Sequence, residues 1–352
     1  MSPESEHRSR PVLRARAPLR ISFAGGGTDV APFSHREGGA VLSATISAYC
    51  FSTLRPRTDG RITVQSLDYG STVGFGVEDD VEFDGQLDLP KAAIHRVRKF
   101  AGGMPTQGFD LFIHTNAPPG SGLGSSSAVM VSVIGVVAEH CGVDLTEYET
   151  ADLAYRLERH DLGIPGGAQD QYAAAFGGFN FIEFGADDVV VNPLRVRDAT
   201  VHELEHNMLL AFTGKTRVSN RIIEDQVSRY EKGEDEALEG LRAQKVLAHQ
   251  MKDALVRGEV DTIGHLLGEA WQQKRKMSDR ISTPIIDEAI ERAMKLGALG
   301  GKVTGAGGGG FLTFICEFER RHVVAEELSR MGLTVSEFTF AKEGLVTWRA
   351  PR

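Results

Sequence analysis

The sequence predicts an α+β fold in two domains, and three observations carry that expectation. The chain has 352 residues, against roughly 150 for an average domain. Strand-like and helix-like segments mix without the regular βαβ beat of a doubly wound parallel sheet. The texture also changes near residues 185–205, from short β-branched segments broken by glycines to long charged helices. These place an N-terminal domain at 11–190 and a C-terminal domain at 191–352.

The elements follow from local pattern. Residues 12–24 read as a strand ending in Gly25-Gly26-Gly27, and the β-branched, partly alternating 40–56 as a second. Residues 61–85 read as short polar strands with glycine turns, 91–100 as a helix and 109–114 as a strand. A turn at 116–120 opens an apolar helix over 128–140. Thr146 with Glu149 spells a capping box for a helix running to about His160. Gly163 to Gly167 is a loop, and residues 173–184 end in a strand. Periodic Leu, Val, Ile and Ala make 219–276 helical, and 287–296 and 320–330 read the same way. Residues 302–314 run from a glycine-rich loop into a strand, and 335–340 form the last strand.

Composition narrows the function. Hydrophobic residues at 41% and charged residues at 25% are those of a globular chain. A net charge of −9 argues against a nucleic-acid binder. No apolar run reaches the ~18 residues a membrane span needs, and the polar Met1 to Arg10 does not read as a secretory signal. Cys50, Cys141 and Cys316 are distant and odd in number, so they read as free thiols in a reducing, cytoplasmic setting.

Of the 40 glycines, 13 fall in three short segments. The first is Pro118 to Ala128, which follows a strand and opens the apolar helix. Between Gly120 and Ser127 stand three glycines and four serines, more than one helix cap needs. Backbone amides at a helix N-terminus make an anion site, and serine hydroxyls add phosphate donors or a Mg²⁺ ligand. No Gly-Lys-Ser/Thr follows, so this is not a Walker A loop, and the GxGxG spacing is not that of a dinucleotide turn. The second cluster is Arg20 to Asp29, either a strand-end site for sugar hydroxyls or phosphate, or a turn with Asp29 as a helix N-cap. The third is Gly300 to Gly310, where four consecutive glycines imply close packing against another loop or a ligand. Asp170 lies in a Gly-rich loop or helix start, placed for proton acceptance or metal binding. Glu158, taken by itself, reads as a partner for Arg156 or Arg159. Lys274, Arg275 and Lys276 read as a solvated helix face.

In this order the three segments resemble the GHMP kinases, the superfamily of galactokinase, homoserine kinase and mevalonate kinase. Pro118 to Ser126 matches its Pro-x-x-x-Gly-Leu-Gly-Ser-Ser signature. Ala17 to Asp29, Gly163 to Tyr172 and Lys302 to Phe311 are most similar to the D-glycero-D-manno-heptose 7-phosphate kinases. The resemblance spans residues 14–316. It implies an N-terminal domain of the ribosomal S5 domain-2-like fold, a ferredoxin-like C-terminal domain, and an active site between them that uses ATP and Mg²⁺.

The roles it implies follow the matched motifs. Pro119, Gly120, Ser121, Gly122, Leu123, Gly124, Ser125, Ser126 and Ser127 wrap the ATP phosphates. Ser126 and Glu158 hold Mg²⁺; Asp170 is the catalytic acid–base group, and Arg20 neutralises charge beside it. Gly25, Gly26, Gly27, Thr28 and Asp29, with Gly166, Gly167, Gly307 and Gly308, line the sugar. Gly26-Gly27 replaces the Glu-His of galactokinases and makes room for a different sugar. The implied reaction moves the γ-phosphoryl of ATP to the anomeric hydroxyl of a heptose 7-phosphate, giving the 1,7-bisphosphate. Lys215 and Arg217, in a short glycine turn ahead of a helix start at Ser219, suit the 7-phosphate. The expected partners are therefore small molecules, a sugar phosphate and ATP, and a homo-oligomer is compatible. A fucokinase-like sister acting on an unphosphorylated sugar, a catalytically silent sugar and ATP sensor, and a mevalonate-type kinase are the alternatives.

Overall fold

A computed structural model describes residues 11–101, 107–118, 120–216 and 220–351. In chain order it contains β1 (Leu13–Ala24), α1 (Phe33–Glu37), β2 (Gly39–Pro56), β3 (Arg61–Ser66), β4 (Ser71–Gly76), α2 (Asp88–Phe100), β5 (Phe109–Thr115), α3 (Ser125–Cys141), α4 (Glu147–Arg156), α5 (Gln169–Phe176), β6 (Phe179–Phe184) and β7 (Val189–Pro193). The second half holds α6 (Asp198–Asn207), β8 (Met208–Phe212), α7 (Asn220–Glu231), α8 (Asp235–Arg257), α9 (Val260–Lys276), α10 (Pro284–Leu296), β9 (Ala298–Val303), β10 (Phe311–Cys316), α11 (Arg321–Arg330), β11 (Thr334–Ser336) and β12 (Val346–Arg349).

The long strand β2 organises the first sheet. Its first half pairs with β6 and its second half with β5, while β1 runs antiparallel along its other edge. The path β12-β1-β2-β5-β3-β4 carries one parallel pair, β3 with β5. Helix α3 packs on β1 and β2 and is apolar nearly all round, the mark of a buried helix. The second sheet is antiparallel in the order β11-β8-β10-β9, which is fourth, first, third and second within its half, the ferredoxin-like order. Strand alternation divides its faces between two cores. Met208, Leu210, Phe311 and Ile315 join the large core, and Leu209, Ala211, Leu312 and Phe314 join the smaller one.

Three details differ from expectation. Residues 337–340 leave the second sheet after β11, because Phe338 and Phe340 pack against the large core and Ala341 N–H donates to Thr45 O of β2 at 2.9 Å. The chain then supplies β12 to the edge of the first sheet beside β1, so the expected C-terminal unit lends its last strand to the N-terminal half. The helix carrying Glu158 widens in its last turn to i→i+5 bonding over Leu157–Asp161, with Leu162 N–H donating to Leu157 O at 3.0 Å. The Thr146–Glu149 capping box opens α4 as read. The cysteines are free, with Cys50 and Cys316 buried and Cys141 half-buried. No helix among the described residues is long and apolar enough to cross a membrane.

Candidate active site

A cleft of about 630 Å³ lies where the glycine-rich segments meet. Helix α3 begins at Ser125, and its N-cap, Gly124, takes the left-handed conformation at φ 77° with no side-chain cap. The amides of its first turn are thus left to an incoming group, and Gly120, Gly122, Gly124, Ser125 and Ser126 line the cleft there. The 304–310 segment packs against this loop backbone to backbone. Phe311 N–H donates to Ser121 O at 2.9 Å, and a Cβ on Gly310 would stand 2.3 Å from that same oxygen. Gly307 and Gly309 are closed in by other backbone, their Cβ positions lying 2.6 Å from Ile281 O and 2.8 Å from Lys215 O.

Asp170 stands at the start of α5, across from Gly124, where a Cβ on that glycine would lie 3.3 Å from the Asp170 Cγ. Arg20, buried on β1, holds the carboxylate: Nε donates to Oδ1 at 2.8 Å and Nη2 stands 2.5 Å from the same oxygen. Its Nη1 donates to Gly122 O at 2.7 Å, tying the pair to the loop. The geometry presents one carboxylate, held by a cation, beside an anion-binding helix terminus.

Glu158 is fully buried under Ser126. Its Oε1 accepts from Ser126 Oγ at 3.0 Å, and its Oε2 accepts from Ser127 Oγ at 2.7 Å and from Gln171 Nε2. Arg159 reaches no closer than 3.8 Å, so the pairing read from sequence is not its main contact. A buried carboxylate and an exposed serine hydroxyl beside the phosphate loop are hard oxygen donors, and fit Mg²⁺ completed by nucleotide phosphates.

Asp29 does not cap a helix, since α1 starts at Phe33 with Pro32 as its N-cap. Its Oδ1 accepts from Gly27 N–H at 3.0 Å and Gln169 Nε2 at 3.1 Å, and its Oδ2 accepts from Gln169 N–H at 3.1 Å. Gly167 must be glycine, because a Cβ there would lie 1.8 Å from Asp29 Oδ2. Gly26, Gly27, Asp29, Gly166, Gly167 and Gly307 line the cleft. Gly25 and Thr28 instead pack on Ala40: the Thr28 hydroxyl donates to Gly25 O at 2.7 Å and accepts from Ala40 N–H at 3.0 Å. Ser121, Leu123 and Ser127 are buried beneath the loop. Gly308 donates its N–H to Ile281 O at 2.8 Å. Lys215 is exposed and its carbonyl accepts from Gly310 N–H at 2.8 Å, while its neighbour Thr216 lines the cleft. Pro119, Arg217 and Ser219 lie outside the described residues.

Sequence reading missed the cations of the cleft floor. Lys274 is 4% exposed and lines the cleft, so it does not belong to a solvated face. It continues the apolar stripe of α9 through Ile263, Leu267, Ala270 and Trp271, and that spacing was the available signal. Burial lowers its amine to about 8, against a partly offsetting pull from Asp29. Lys302, on β9, donates from Nζ to Ser22 O at 2.6 Å, and burial pushes its amine well down, helped by Lys274 and Arg20. Arg159 braces the 164–167 loop, donating from Nε to Gly167 O at 3.1 Å and from Nη1 to Ile164 O at 3.3 Å.

The chain is similar to known proteins over nearly its whole length. The GHMP kinases N terminal domain matches residues 88–178, and the GHMP kinases C terminal domain matches 251–333. The D-glycero-alpha-D-manno-heptose 7-phosphate kinase of Campylobacter jejuni is 40% identical over 96% of this chain and 99% of its own. The L-fucokinase/L-fucose-1-P guanylyltransferase of Bacteroides fragilis is 27% identical over 99% of this chain but 40% of its own length. The crystal structure of a D-glycero-D-manno-heptose 1-phosphate kinase from Bacteroides thetaiotaomicron superposes with a TM-score of 0.81 at 35% identity, covering 97% of this chain and all of that one.

Proposed function

Since the chain belongs to the GHMP kinases and is an ATP-dependent sugar kinase, we propose that it phosphorylates the anomeric hydroxyl of D-glycero-D-manno-heptose 7-phosphate, giving the 1,7-bisphosphate. The observation that carries this reading is Asp170, held by Arg20 and facing the uncapped N-terminus of α3 across Gly124. The nucleotide triphosphate lies along Gly120 to Ser126, with its charge on the α3 amides. The sugar hydroxyl gives its proton to the free oxygen edge of Asp170 as its oxygen bonds to the γ-phosphorus, and the bond from that phosphorus to the β,γ-bridging oxygen breaks. Arg20 fixes the carboxylate's direction, so positioning rather than covalent catalysis lowers the barrier.

Ser126 and Glu158 would hold Mg²⁺, which when bound would neutralise charge on the phosphates. Asp29 and Gln169 face the sugar. Lys215, exposed and next in sequence to the cleft-lining Thr216, is the group proposed for the 7-phosphate, with Arg217 two residues further along the chain. The substrates are small phosphorylated metabolites, which suits a cytoplasmic enzyme.

The names of the two heptose kinases differ in where the phosphate stands, so the test includes both. ATP turnover is measured against heptose 7-phosphate, heptose 1-phosphate, mannose, fucose, galactose and mevalonate. The reading expects heptose 7-phosphate to give the highest kcat/KM and a product phosphorylated at C1. A best substrate lacking the 7-phosphate overturns it.

A further inference from the structure

Gly26 leaves a notch in the cleft wall. A Cβ built there would stand 3.4 Å from Ser22 Oγ, 3.6 Å from Gln169 Nε2 and 3.8 Å from Lys274 Nζ. Three polar groups from β1, α5 and α9 therefore converge on one empty point. Each brings unused hydrogen-bonding capacity. Ser22 Oγ is buried without a partner, and Gln169 Nε2 has a second N–H beyond the one it donates to Asp29 Oδ1 at 3.1 Å. The Lys274 amine has no hydrogen bond or ion pair among the described residues, although the side chain is 4% exposed. Buried polar groups are almost always paired, and one left alone is costly. An unpartnered hydroxyl, an amine without a hydrogen bond and a spare amide N–H around a single void mark a place completed by a ligand.

The donor set identifies the chemistry. Lys274 donates, Ser22 donates or accepts, and the second N–H of Gln169 Nε2 donates. Asp29, held by Gln169 Nε2, adds a carboxylate beside them. The charged groups around the amine are Asp29, Arg20 and Lys302. A phosphate offers acceptors only, and its charge would stand beside the Asp29 carboxylate. A hydroxyl is donor and acceptor at once and satisfies the whole set. We infer that Lys274, Ser22 and Gln169 are specificity-determining residues of the sugar site, meeting ring hydroxyls at the Gly26 notch. This rests on the sugar-kinase reading of the cleft and names what the floor of that cleft recognises.

Two variants test it. Lys274→Met keeps the side chain's bulk and removes its donor. Gly26→Ala fills the notch with a methyl group at ordinary contact distances, in a backbone conformation any residue adopts. Steady-state kinetics are run on the best sugar of the wild-type panel, with its monodeoxy analogues and the analogue lacking the phosphate. Both variants are expected to raise the sugar KM about 10- to 100-fold, with kcat within about threefold and the ATP KM unchanged. For one monodeoxy analogue the Lys274→Met penalty disappears, because the hydroxyl that the amine meets is gone. If the penalty disappears instead on removing the phosphate, or falls on the ATP KM, or is the same for every analogue, the subsite is not a hydroxyl reader. The identity of the best wild-type sugar judges the proposed function separately, since the variant-to-wild-type ratio is taken on whichever sugar that is. Where no sugar turns over, calorimetric binding of the same sugars to the two variants and the wild type gives the same ratio.

Discussion

Arg20 Nη2 lies 2.5 Å from Asp170 Oδ1, and the pair spans 150 residues of chain to join β1 to the start of α5. Both Arg20 contacts fall on one carboxylate oxygen, which leaves the other to face the cleft. Replacing Asp170 with Asn keeps the shape and removes the proton acceptor. Asp170→Asn is expected to lower kcat about 10²- to 10⁴-fold while nucleotide affinity stays within a few fold. Stopped-flow or steady-state turnover alongside nucleotide titration checks this, and a variant retaining a tenth of the wild-type kcat would remove Asp170 from proton transfer.

Glu158 is the one site carboxylate closed off beneath the phosphate loop, with Ser126 between it and the cleft. Glu158→Gln keeps hydrogen-bonding capacity toward Ser127 and loses the charge. The Mg²⁺ concentration giving half-maximal activity should rise about 10- to 100-fold, a loss of the size seen when a group supporting a metal is removed. An unchanged Mg²⁺ titration at fixed ATP would refute the assignment.

The sequence made the phosphate loop, the Asp170 segment and most elements legible, because each is a local pattern: a glycine–serine run, a capping box, an alternating strand. Long-range facts were harder to read. Nothing near Thr28 announces that its hydroxyl closes on Ala40 O and N–H, and nothing near residue 346 announces pairing with β1. Lys274 reads as solvated when grouped with its charged neighbours Arg275 and Lys276, whereas the i, i+3, i+4 stripe ending on it carries it inward. The Glu158 contacts depend on one widened helical turn that periodicity does not foretell.

Where Gly310 meets the phosphate loop there is no room for a side chain. Gly310 combines φ +85° with a Cβ position 2.3 Å from Ser121 O, whereas Gly332, at φ +87°, has nothing within 4 Å. Gly332→Ala bears only the conformational cost, and Gly310→Ala adds a backbone clash. Gly310→Ala should be about 1–3 kcal/mol less stable than Gly332→Ala, and it alone should weaken nucleotide binding. Equal losses in urea unfolding of the two variants would mean that the loop yields freely.

Lys274 offers a stability signature that its proposed role in sugar binding explains. Its amine falls from the ordinary 10.5 to about 8 in the folded chain because burial removes water faster than Asp29 compensates. Below pH 8 both folded and unfolded chains carry the proton, and the folded chain bears the full cost of an unpaired buried charge. Between pH 8 and 10.5 the folded chain releases it first, so the unfolded chain binds more protons and stability rises with pH, by up to about 3 kcal/mol. Lys274→Met escapes that cost at every pH. In urea unfolding without ligand, the variant should therefore be more stable than the wild type at pH 7, with the gap narrowing toward pH 10 as the wild type gains. A purely structural lysine gives the reverse, a variant less stable at pH 7. A gain in stability joined to a loss of sugar affinity is what a residue retained for binding shows.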